Sequence, residues 1–77
     1  MQQYPPTAKE LREWCADKGL SRRKCVSLLD VGPQTVSSWR AGHSTIPYSV
    51  WVVLRLFAAD SPEEIQEVVD DVRAIEL

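Results

Sequence analysis

Between Gln34 and Arg40 the stretch QTVSSWR offers one amide, three hydroxyls and one guanidinium, and no carboxylate. An amide side chain donates and accepts at once, so Gln34 matches the neighbouring N6 donor and N7 acceptor of an adenine edge. The hydroxyls of Thr35, Ser37 and Ser38 can bond to base edges or to phosphate oxygens. A second group, Arg22-Arg23-Lys24, sets three cations in a row. Together these residues suit holding a polyanion and reading its polar edges. Nothing comparable points to catalysis. The chain has a single histidine, His43, with no glycine-rich phosphate loop and no set of residues at metal-ligand spacing. No enzyme activity, cofactor, metal or small-molecule ligand is therefore expected.

Elements must place these groups. Val36 and Trp39 are three apart and share one helical face, which leaves Gln34, Thr35, Ser37, Ser38 and Arg40 on the others. Pro33 suits the first position of that helix, where a missing N–H costs nothing, and Gly42 closes it. Ser21 can cap a preceding helix that runs to about Leu29, with Cys25, Val26 and Leu29 inward, and Asp30-Val31-Gly32 forms a tight turn between the two. Upstream, Thr7 with Glu10 gives a capping-box pattern, Leu11, Trp14 and Cys15 follow on one face, and Gly19 ends the helix. Downstream, Pro47 opens a fourth helix to about Ala59, with Val50, Trp51, Leu54 and Phe57 inside. Ser61-Pro62-Glu63-Glu64 reads as a second capping box, opening a helix over about 62–75. Trp14, Trp39 and Trp51 fall on inner faces and are expected in the core. Tyr4 with Pro5 and Pro6 either forms an arm or packs on the first helix.

Composition sets the frame. The 77 residues make one domain, near the lower limit for a single apolar core. Two cysteines and one histidine make a poor zinc site and an unusual secreted scaffold, so Cys15 and Cys25 read as free thiols in a cytoplasmic protein. The longest apolar run, Val50 to Ala59, is broken by Arg55 and is about half a membrane span, so no membrane partner is expected. The net charge of −2 hides an asymmetry: up to Arg55 there are eight basic and four acidic residues, and beyond it one against seven. One end of the chain suits an anionic partner and the other does not.

From Leu20 to Gly42, LSRRKCVSLLDVGPQTVSSWRAG resembles the lambda-repressor/Cro-type helix-turn-helix family. The likeness rests on apolar Cys25, Leu29, Val31, Val36 and Trp39, on Ser21 before the second helix, on Thr35-Val36-Ser37, and on Gly42 with Pro47 beyond. It extends more loosely over residues 7–59. The chain departs from the pattern at Val26, where the family prefers alanine, and at Asp30, where it prefers glycine. The last helix lies outside the likeness; with the five helices read above, the resemblance implies an all-α, five-helix domain with the helix-turn-helix at about 21–41 and the third helix in the major groove. Base-reading positions then fall on Gln34, Pro33, Ser38 and Ser37. Phosphate contacts fall on Arg22, Arg23, Lys24, Arg40, His43, Thr35 and Tyr48. RAGHSTIPYSVWVVLRL is also similar to small regulators of phages and mobile elements, including anti-CRISPR-associated autorepressors.

The last helix carries an apolar stripe of Ile65, Val68, Val69, Val72 and Ile75 together with most of the acid. Acid repels phosphate, so this helix should lie away from DNA and form a homodimer interface, helped by Phe57 and Leu77. Two-fold pairing implies a palindromic operator. The whole reads as a duplex-DNA-binding repressor or autorepressor. The alternative is a protein-interaction module or antitoxin that keeps the helix-turn-helix as scaffold.

Overall fold

The computed structural model describes residues 5–76, with the backbone alone at 75 and 76. It contains α1 (Ala8–Lys18), α2 (Arg22–Leu29), α3 (Pro33–Ala41), α4 (Tyr48–Ala58) and α5 (Pro62–Glu76). No strand occurs among the described residues, so the fold is all-α. Tyr4 and Leu77 lie outside the described residues, as does the side chain of Ile75.

Local chemistry sets the helix ends. Thr7 and Glu10 form the reciprocal capping box expected of them. The Ser21 hydroxyl accepts from the Lys24 amide at 3.1 Å. Gly19 and Gly42 end α1 and α3 in the left-handed conformation, with φ of 68° and 85°. Asp30 ends α2 in the same region at φ 54°, and aspartate is among the few non-glycine residues that adopt it readily. The second capping box forms only in half. The Ser61 hydroxyl accepts from the Glu64 amide, but the Glu64 carboxylate bonds the Asp60 amide at 2.8 Å and Lys18 Nζ at 2.6 Å. Pro47 caps α4 rather than opening it.

The core gathers Leu11 and Cys15 of α1, Cys25 of α2, Val36 and Trp39 of α3, Ile46 of the following loop, and Trp51 and Leu54 of α4. Trp14 is half-buried and meets Trp51 edge-on, with ring centroids 4.8 Å apart. Pro6 is buried. Phe57, expected inside, is 56% exposed. α4 is apolar on nearly every side, so spacing alone does not select which residues turn inward; Trp51 and Leu54 do, and Phe57 stays out.

α5 joins this body by polar as well as apolar contact. Arg55 Nη1 donates to Asp71 Oδ2 at 2.8 Å, and Asp71 is fully buried. Val68 is 2% exposed, and Val69 and Val72 are half-buried beside Val52 and Leu56. Of the described part of the α5 stripe, Val68 is spent on the molecule's own packing, while Val69 and Val72 keep part of their surface open and Ile65 is exposed.

Candidate nucleic-acid interface

α2 and α3 pack against each other across the turn at residues 30–32. This places the cationic start of one beside the polar flank of the other. Arg22, Arg23 and Lys24 are exposed in the first turn of α2. Cations there oppose the helix dipole, so they contribute little to the helix itself. Arg22 Nη1 donates to the Ser37 hydroxyl at 2.9 Å, tying the two helices together.

Pro33, Gln34 and Thr35 are exposed at the start of α3. Gly32 precedes them without a capping side chain; Pro33 has no N–H and the Thr35 amide donates to the Gly32 carbonyl at 3.1 Å, which leaves the Gln34 amide open to an acceptor from outside. Ser37 and Ser38 are half-buried. Ser38 is engaged with the loop beyond: its hydroxyl pairs with that of Ser44 at 2.9 Å, and its carbonyl accepts from the His43 amide at 3.0 Å. That anchoring, with the left-handed turn at Gly42, holds His43, Ser44 and Thr45 as an exposed loop at the end of α3. α4 then starts at Tyr48, again without a side-chain cap.

Two expected phosphate contacts have a polar atom turned inward. The Tyr48 hydroxyl is buried without a protein partner, and burial, with Asp71 nearby, pushes its pKa up. Arg40 is half-buried, and its Nη1 is enclosed without a partner. Its charge instead acts on Cys15, opposing the rise in that thiol's pKa. Both residues follow apolar neighbours into the core boundary, which their residue types alone do not reveal.

Among the expected interface residues of α5, Val68 is withdrawn into the core and Ile65 is 46% exposed. Polar features outside the expected set include Ser44, Arg12, whose Nη1 donates to the Arg40 carbonyl at the end of α3, and the Arg55–Asp71 pair. Asp71 had a signal in the sequence: it is three residues after Val68 and one before Val72, on the inward side of the α5 pattern.

No group of three or more histidine, cysteine or acidic residues able to hold a metal occurs among the described residues. No described helix is long and apolar enough to cross a membrane. No protein-family model, curated protein or solved structure matches the chain.

Proposed function

We propose that the chain is a sequence-specific duplex-DNA-binding regulator, acting in the cytoplasm as a repressor or autorepressor of a phage or mobile-element operon. In this reading α2 and α3 form a helix-turn-helix, and α3 enters the major groove, which is wide enough to admit a helix. One observation carries the proposal: the exposed, carboxylate-free start of α3, headed by Gln34, is bonded through Ser37 to the exposed cationic start of α2. Gln34 reads a base edge, and the Pro33 ring packs on a thymine methyl. Arg22, Arg23, Lys24, Thr35 and His43 hold phosphate, together with the Gln34 amide and the open amides at the start of α4. The operator is palindromic and is bound by a pair of chains.

A salt-dependent gel shift tests this, using sites found by footprinting the DNA beside the chain's own gene. Affinity should fall steeply with salt, with a slope of about −0.9 per neutralised phosphate. Gln34→Ala should cost about 1–3 kcal/mol on the preferred site and relax choice at one base pair. Absence of duplex binding at low salt would leave the second reading, a protein-interaction module or antitoxin, which the apolar surface of α4 favours.

A further inference from the structure

α4 keeps one side bare. Its sequence, YSVWVVLRLFA, contains one charged residue, Arg55, and that residue is drawn towards α5 by the buried carboxylate of Asp71, leaving its side chain 13% exposed. The outward side is therefore uninterrupted by charge. Val53, Leu56 and Phe57, spaced to form one ridge, are 42%, 43% and 56% exposed. Scattered apolar residues on a surface are ordinary, but a contiguous group marks a contact site.

A groove runs along each flank of the ridge. One, of about 330 Å³, lies towards α2 and is walled by Leu28, Leu29, Val31 and Val50, with Val53 and Phe57 as its near side. The other, of about 420 Å³, lies towards α5 between Val52 and Leu56 on one side and Val69 and Val72 on the other. Of all residues lining the two, only Arg73 is charged, in a chain where charged residues make up 26%.

We propose that this ridge and its grooves take a second copy of the same chain. An isologous pair needs one surface that supplies both the projecting and the receiving part, and here the two adjoin. A two-fold axis near Leu56 seats each copy's Phe57 ridge against a groove of the other, as helix ridges pack into helix grooves within a domain. The absence of charge fits this occupant: a partner that meets the face must itself be bare of charge, and the face meets that condition. A stable pair buries about 800 Å² per copy, so the groove walls take part as well as the ridge. This centres self-association on α4, with Val69 and Val72 of the α5 stripe as one groove wall. The surface argument stands without DNA; its consequence, that walls next to α2 fix the two α3 helices relative to each other, rests on the function proposed above.

Sedimentation of the full chain at micromolar concentration, without DNA, tests the pairing. The wild type should sediment at twice its 8.7 kDa mass. Phe57→Asp should sediment as a monomer with unchanged helical circular dichroism. Should that variant fail to fold, Phe57→Ala adds no charge and should raise the dissociation constant at least about tenfold. Ile65→Asp, on α5 and outside both grooves, should leave the pair intact. A monomeric wild type would overturn the proposal, including one whose α4 face takes a helix of another protein. So would a pair that Phe57→Ala leaves at full strength, or one that Ile65→Asp dissolves. A chain that pairs through α4 but binds no duplex would overturn the DNA reading alone.

Discussion

Arg22 donates through Nη1 to the hydroxyl of Ser37 at 2.9 Å, so the first turn of α2 is bonded to the polar flank of α3. Residues fifteen apart in sequence thereby share one surface. On the proposed function, Arg22→Ala weakens binding to all duplexes alike and lowers the salt slope by about one. Ser37→Ala keeps the charge but frees the guanidinium, so it should loosen discrimination between sites more than it weakens total binding. Measured in a double-mutant cycle, the two losses should fail to add by more than about 0.5 kcal/mol. Additive losses would show that the bond plays no part in binding.

How much of this was legible depends on the range over which each feature is set. Thr7 with Glu10, Ser21, Asp30 and Gly42 act on backbone within one turn of themselves, and the sequence places them correctly. Glu64 shows where local reading fails: its carboxylate has a better partner in Lys18, forty-six residues away, than in its own cap. In α4, apolar residues occupy nearly every position, so periodicity does not distinguish buried Leu54 from exposed Phe57. Arg40 and Tyr48 look like surface donors by type, and only tertiary packing encloses Nη1 of the one and the hydroxyl of the other. For the candidate interface, the exposure of Gln34 followed from Val36 and Trp39 being inward, and that of the α2 cations from Cys25, Val26 and Leu29 being the inner face of their own helix; the Arg22–Ser37 bond did not, because nothing local fixes the approach of two helices.

The thiols give a chemical check on the core. Burial pushes the Cys15 thiol up to about 11, helped by neighbouring Cys25 and opposed by Arg40. Both cysteines are free and buried, 1% and 3% exposed. Labelling by a thiol reagent at neutral pH should be slow in the folded protein and fast in denaturant, with both thiols reacting. Between the ordinary value of 9.0 and about 11, the unfolded thiol loses its proton and the folded one keeps it. Stability should therefore fall as pH rises through that window, and Cys15→Ala should make the decline shallower. Rapid labelling of the native chain would show that the α1–α2 contact opens.

Lys18 and Glu64 should govern part of the acid limb. Lys18 Nζ meets both carboxylate oxygens, at 2.6 and 2.7 Å. The lysine bond first, and then the Asp60 amide, hold the Glu64 pKa below its ordinary 4.5. A depressed carboxylate stabilises the fold above its ordinary pKa, and that share is lost as pH falls through the lowered folded value. Lys18 has the opposite sign: its pKa is raised chiefly by Glu64, so its share holds below the ordinary 10.5 and is lost as pH rises through the raised value. Urea midpoints measured against pH should show a weaker acid dependence in Glu64→Gln than in the wild type. An unchanged acid limb would mean that water screens the pair fully.

Asp71 and its partner Arg55 should be the most sensitive charged positions among the described residues. The Asp71 carboxylate is wholly buried, with Oδ2 accepting from Arg55 and Oδ1 without a protein partner. The Tyr48 hydroxyl and Trp51 Nε1 are also enclosed without partners. Removing one member of a buried ion pair strands the other, at a cost of about 3–5 kcal/mol. A domain of this size holds about 4–12 kcal/mol in total, so Asp71→Ala should remove a large part of it, measured as a fall in urea midpoint. Arg55→Ala should cost as much or more, since it strands a carboxylate with no exposure at all. Replacing both together, Arg55→Met with Asp71→Leu, removes two desolvated charges at once and should return most of the loss, as apolar replacements of buried pairs often do. That recovery separates an electrostatic cost from lost packing: if the double variant is as unstable as Asp71→Ala, the pair acts through its shape between α4 and α5 and not through its charges.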